Sequence, residues 1–293
     1  MSRHPPEWDA RHPDRDQLRA EVRGMAACVR DQLLGRIPEP EIRGVYLKGS
    51  SVKAWESPLD YVPEISDVDI HVWFRDDNAW RRHLDTVPQA LSLQADIETC
   101  FTERFAQPIH QPRLQLIVLN TLVAEMPGFV YSPRSTVTVL HGEAYPEADY
   151  NDPDRIRRHD AVDLIERIEW VERAPLRVID RFGVHAREIS RELSWRVAPA
   201  GPLVLHISGL DTEHVWSLNR TRVTAALRDV GLGALADAYR DFYLAAWDYF
   251  LSSFADTNAC RAAILAASRV LTESGALGRQ WLATNPENPA AGT

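Results

Sequence analysis

Lysine is nearly absent: the chain carries only Lys48 and Lys53, and arginine supplies the remaining positive charge. Cysteine is scarce too, with Cys28, Cys100 and Cys260 far apart and in no CxxC spacing. That spacing excludes a zinc knuckle and a dense disulfide framework, so three free buried thiols are expected. No apolar run approaches the ~18 to 20 residues that cross a bilayer. Residues 1–16 are polar and form no signal core, so a cytoplasmic protein without membrane contact is expected. Positive charge is in deficit overall, with a formal net charge of −9. Residues 1–150 hold 16 Lys and Arg against 23 Asp and Glu, and residues 151–293 hold 17 against 19. Neither half offers the clustered cations that grip DNA or bulk RNA; a local patch for one tRNA end remains open.

What is present is an ordinary folded composition, 45% hydrophobic and 26% charged. The length predicts about two domains. In residues 16–34, Leu18, Val22, Met25, Ala26, Val29 and Leu33 recur at three- and four-residue steps, which predicts an amphipathic helix ended by Pro38 and Pro40. A short strand over residues 44–47 runs into Lys48-Gly49-Ser50-Ser51, with a helix expected to follow the turn. From Ser66 the pattern alternates strictly: Val68, Ile70, Val72 and Phe74 on one side, Asp67, Asp69, His71 and Trp73 on the other. Residues 76–105 read as helix broken at Pro88, and residues 113–120 and 135–140 as two further strands. Prolines and acids near 145–154 mark a boundary. Beyond it lie long helical patterns, interrupted once at Pro199, Gly201 and Pro202. The expected fold class is α+β: a mixed-sheet domain over residues 1–150, an all-α helical bundle over 151–285 and a disordered tail over 286–293.

The chemistry concentrates where the first two strands carry their polar residues. Residues i and i+2 of a strand share a face, so Asp67 and Asp69 present two carboxylates side by side. Like charges that close call for a cation, and magnesium is commonly held by one or two carboxylates plus substrate phosphates. Gly49 lets backbone approach a phosphate without a Cβ in the way, Ser50 or Ser51 offers a hydroxyl and backbone N–H donors, and Lys48 and Lys53 are compact point charges for the same anion.

The pair LKGSSVKAWE and ISDVDIHVWF resembles the Gly-Ser and S-D-x-D signature of the nucleotidyltransferases related to DNA polymerase beta, which include aminoglycoside, tRNA and minimal toxin–antitoxin members. The likeness covers residues 44–74 directly and, through strand order, residues 17–145. It implies that Gly49 and Ser50 hold a triphosphate and that Asp67 and Asp69 bind Mg2+, with a second ion open. It further implies attack of an acceptor hydroxyl on the α-phosphorus, with pyrophosphate leaving and the helical domain closing over the cleft. The acceptor is open among a small molecule, a protein and a tRNA end. The family also carries a third acid on a later strand, where this chain has Gln115, an amide without useful basicity. Glu98, Glu125, Glu143 and His71 are alternative bases by sequence proximity alone. The departure supports two rival readings, a nucleotide-binding regulator without turnover and a toxin–antitoxin component using the fold as a scaffold.

Other patterns have simpler readings. His206 and His214 stand too far apart for a metal-binding helix, and the sequence between them reads as a turn and cap around Asp211. Trp216, Asn219 and Arg220 are candidates for an acceptor site. The ten arginines of residues 155–196 are interleaved with eight acids, the pattern of a solvated ion-paired face. Gly231-Leu232-Gly233 follows no strand, so it lacks the context of a dinucleotide fingerprint.

Overall fold

The computed structural model describes residues 5–126 and 129–286. The fold class is α+β, with a four-stranded mixed sheet and eleven α-helices among the described residues. Residues 287–293 of the expected tail lie outside them. The chain forms two compact units. A sheet unit comprises Glu7–Trp55 and Ser66–Asp149, and a helical unit comprises Glu56–Ile65 with the chain from Tyr150 onward.

The sheet unit contains α1 (Arg15–Arg36), β1 (Ile42–Lys48), β2 (Asp67–Phe74), α2 (Ala79–Leu84), α3 (Val87–Arg104), β3 (Arg113–Val118), α4 (Leu119–Glu125) and β4 (Thr138–Gly142). The strands lie in the order β3-β2-β1-β4, with β1 antiparallel to β2 and β4, and β2 parallel to β3. That arrangement brings the C-terminal end of β1 and the N-terminal ends of the other three strands to one end of the sheet. The alternation of β2 decides its faces: Val68, Ile70, Val72 and Phe74 are each no more than 1% exposed. α1 packs against β2 and α3. Its stripe of Leu18, Val22, Met25, Val29 and Leu33 is fully buried, each side chain contributing about 1.5–3 kcal/mol. Asp14 caps α1 by accepting from the Gln17 N–H, and Thr86 caps α3, leaving Pro88 in its first turn, where no N–H is missed.

The packing of α1 on α3 corrects the expectation of three free thiols. Cys28 and Cys100, 72 residues apart in sequence, face each other with Cα atoms 5.8 Å apart and form a disulfide. Helix packing, not sequence spacing, created that proximity. Cys260 is the free, buried thiol.

The helical unit contains α5 (Pro153–Arg173), α6 (Pro175–Asp180), α7 (Ala186–Ile207), α8 (Thr212–Ser217), α9 (Arg220–Asp229), α10 (Gly233–Leu251) and α11 (Thr257–Thr284). α11 packs on α5, α7 and α10. It crosses α5 so closely that a Cβ at Gly278 would stand 2.7 Å from the Ala161 carbonyl oxygen. The aromatic residues of α10, Tyr239, Phe242, Tyr243 and Trp247, form core.

The expected break at Pro199 and Pro202 is absent, and α7 runs through both. Each proline removes the N–H that would have bonded the carbonyl four residues earlier. Arg167 donates to the Trp195 carbonyl at 3.2 Å, and the Tyr239 hydroxyl donates to that of Ala198 at 3.0 Å. Neighbouring helices thus satisfy the two orphaned acceptors, and the helix persists.

The segment Glu56–Ile65 joins the helical unit through Asp60, which is 2% exposed. Its carboxylate accepts from the Glu56, Ser57 and Thr221 backbone N–H groups at 2.7, 3.0 and 2.9 Å, and from the Thr221 hydroxyl at 2.8 Å. Burial still holds its pKa above the ordinary carboxylate value, against the pull of these donors. Trp247 donates to the Pro58 carbonyl at 2.7 Å, a second tie within the same unit.

Candidate functional site

At the end of β1 the backbone reverses in a single 3-10 turn over Gly49–Ser51, not at the start of a helix as the sequence suggested. Ser51 donates to the Lys48 carbonyl at 2.6 Å, and the Trp55 indole donates to the Ser50 carbonyl at 2.9 Å. Arg19 of α1 stacks over Trp55, its guanidinium carbon 5.0 Å from the ring centre. The turn is therefore pinned from both sides. Gly49 has φ +75°, a conformation L side chains rarely adopt, and a Cβ there would stand 2.1 Å from Asp69 Oδ2. Two independent requirements, conformation and space, select glycine.

Register completes the site. Lys48 pairs with Asp69 across β1 and β2, and Asp67 and Asp69 pair with Arg113 and Gln115 across β2 and β3. Asp67 forms an ion pair with Arg113, their side chains 13% and 21% exposed. With its amide oriented by its surroundings, Gln115 donates to Asp67 Oδ2 at 3.3 Å and to Asp69 Oδ1 at 2.8 Å. Gln115 thus stands against both carboxylates, where the resemblance implies a third acid. Lys48 is half-buried: desolvation pulls its pKa below the ordinary lysine value, and Asp69 opposes the shift. Two carboxylates face one guanidinium and one ammonium, so the cluster is formally neutral.

The structure brings Lys48, Gly49, Asp67 and Asp69 together. Ser50 lies in the turn itself, and Lys53 follows it on a half-exposed bend. Arg113 was missed in the sequence. It lies two residues before Gln115 on the same strand face, and the alternation that paired Asp67 with Asp69 would have exposed it.

The alternative bases fall away on position. His71 shares the face of the aspartates but is 1% exposed, and its Nδ1 lies 3.0 Å from the Tyr145 hydroxyl. Burial, helped by the Lys48 charge, pushes its pKa down to about 2, so it is neutral and far too weak a base for catalysis near pH 7. It belongs to an aromatic cluster with Tyr46 and Tyr145. Glu143 follows β4 at the opposite end of the sheet and pairs with Arg75 at 2.9 Å; Glu125 closes α4, beyond the far end of β3; Glu98 is exposed on α3.

The acceptor candidates of the helical unit have structural duties. Asn219 is 5% exposed and caps α9 by accepting from the Arg222 N–H at 2.9 Å. Arg220 lies 4.2 Å over the Tyr243 ring and donates to the Leu59 carbonyl at 3.2 Å. Asp211 caps α8, as its position suggested. His206 is fully buried between Asp160 at 2.5 Å and the Thr212 hydroxyl at 2.7 Å.

Among the described residues no three His, Cys, Asp or Glu side chains gather as a metal site. The donor set at β2, two carboxylates on one strand face with Asp69 packed against the Gly49 turn, fits one hard divalent ion completed by ligand phosphate oxygens. It lacks the further anionic donor that a two-ion site would use. No protein-family model, no curated protein and no solved structure matches this chain.

Proposed function

We propose that the sheet unit carries a nucleoside triphosphate site of the nucleotidyltransferase type and that the chain transfers a nucleotidyl group to a hydroxyl acceptor. The observation that carries the reading is the register of Lys48 against Asp69, which places the Gly49 turn beside two carboxylates on one strand face. In this reading Lys48 and Arg113 supply positive charge to phosphate oxygens, Ser50 donates its hydroxyl, and Gly49 admits the phosphates to the backbone. Asp67 and Asp69 hold Mg2+, which when bound neutralises charge on the triphosphate and leaving group. The acceptor oxygen bonds to the α-phosphorus, the bond to the bridging oxygen breaks, pyrophosphate leaves and the acceptor's proton passes to solvent. The acceptor is a small molecule or a protein side chain, with a tRNA end as the third option; the acidic composition disfavours DNA.

A second reading, nucleotide binding without turnover, is favoured by two observations: Gln115 faces both aspartates, and His71 is buried with its pKa pushed down. General-base help is typically worth about 10²–10⁴-fold, so this site would turn over slowly or not at all. Incubating the protein with each nucleoside triphosphate and Mg2+ separates the two, with pyrophosphate release and mass change of the protein or added acceptors as readouts. Release that the Asp67→Asn, Asp69→Asn variant loses supports transfer. Metal-dependent binding without release supports the regulator, and absence of both overturns the site.

A further inference from the structure

Resting on that reading of the site, we propose that the Arg113 guanidinium and the Gln115 amide are exchangeable partners of Asp67 and Asp69 that block a divalent cation until a triphosphate arrives, making metal and nucleotide binding strongly coupled. In the protein alone, Asp67 is paired with the Arg113 guanidinium, and both aspartates accept from the Gln115 amide nitrogen at 3.3 and 2.8 Å. Those contacts sit on Asp67 Oδ1, Asp67 Oδ2 and Asp69 Oδ1, oxygens that a cation shared by the two carboxylates would compete for. Both of these donors are side chains that can turn away without breaking the sheet: Arg113 opens β3, with its side chain 21% exposed, and Gln115 is exposed.

A hydrated divalent ion arriving alone must displace a guanidinium, turn an amide and shed its own water, which magnesium does reluctantly. It gains little, because Arg113 and Lys48 already balance the two carboxylates. A triphosphate changes the balance. It offers Arg113 the two-pronged phosphate contact for which a guanidinium is suited, and so releases Asp67. It also brings negative charge to a formally neutral cluster, which then favours a cation. Turning the Gln115 amide would present its carbonyl oxygen to the acids' new partner in place of its N–H group. Coupling of this kind is reciprocal: the cation tightens the triphosphate by the factor by which the triphosphate tightens the cation.

The test titrates the full chain with Mn2+ alone, read by electron paramagnetic resonance of the free ion, and again with saturating ATP, GTP, CTP or UTP, each compared with a protein-free titration that gives the Mn2+ held by the triphosphate itself. Wild type is expected to bind Mn2+ weakly alone and at least about tenfold more tightly with the preferred triphosphate. Arg113→Met is expected to bind Mn2+ alone about tenfold more tightly than wild type, with weaker triphosphate binding and most of the coupling lost. Arg113→Lys, which keeps the charge, is expected to stay near wild type for Mn2+ alone, and this separates a charge effect from strand damage. If wild type binds a metal–triphosphate but Arg113→Met gains no affinity for Mn2+ alone, the exchange role of Arg113 is overturned while the nucleotide site stands. If wild type binds no triphosphate in the presence of Mn2+, the nucleotide reading itself fails and takes this inference with it.

Discussion

Asp60 and the pair Asp67 and Asp69 are near neighbours in sequence, yet their carboxylates have opposite surroundings. Asp60 is buried and takes three backbone N–H groups and a hydroxyl, all within the helical unit. Backbone donors cannot leave without unfolding, so Asp60 is a structural staple for the Glu56–Ile65 segment. Asp67 and Asp69 are held by a guanidinium, an amide side chain and the charge of Lys48. Those partners can rotate away. The difference separates a carboxylate that serves the fold from carboxylates available to a ligand, and it does so from the identity of the donors alone.

The comparison can be broken most directly by stability. Asp60→Ala strips four buried donors of their acceptor and is expected to cost about 3 kcal/mol in denaturant unfolding. The Asp67→Asn, Asp69→Asn variant is expected to cost less, about 1–2 kcal/mol, because asparagine keeps an acceptor oxygen for each side-chain partner. Equal losses in the two variants would erase the distinction. A smaller effect is expected at the turn: Gly49→Ala forces φ +75° on a side chain and drives its Cβ into Asp69, costing about 1–2 kcal/mol and weakening triphosphate binding. Unchanged stability and binding together would show that the turn is not as close to Asp69 as described.

The smallest effect per unit of change concerns His71, the member of the aspartates' face that serves the fold. Its pKa falls from an ordinary 6.5 to about 2 on folding, so below pH 6.5 the unfolded chain binds a proton that the native chain refuses. Stability is then fully present above pH 6.5 and lost as pH falls toward 2, by about 1 kcal/mol per unit. His71→Gln is expected to flatten that part of the pH–stability curve, as urea titrations at several pH values would show. Identical slopes for variant and wild type would place the acid sensitivity elsewhere.

Local pattern carried the sheet and most of the site. The alternation from Asp67 to Phe74 specified β2 and its faces, and the LQLIV run specified a neighbour whose Gln115 meets Asp69 in the observed register. What escaped depends on tertiary partners. The Cys28–Cys100 bond exists because α1 packs on α3. The continuity of α7 through Pro199 and Pro202 depends on Arg167 and Tyr239, which lie on other helices. The Gly-Ser turn leads into no long helix because the chain leaves the sheet unit after Trp55 to be anchored by Asp60. Alternation places Arg113 on the face of Gln115, but its role depends on Asp67, the strand partner that register supplies.

Asp67 and Asp69, whose side-chain partners can exchange, are expected to bind a metal–triphosphate. Calorimetric titration of each nucleoside triphosphate, with and without Mg2+, into wild type and the Asp67→Asn, Asp69→Asn variant tests it. Binding to wild type is expected to require Mg2+ and to fall at least about 100-fold in the variant, a difference of roughly 2.7 kcal/mol. Equal binding to both proteins, or none to either, would contradict it.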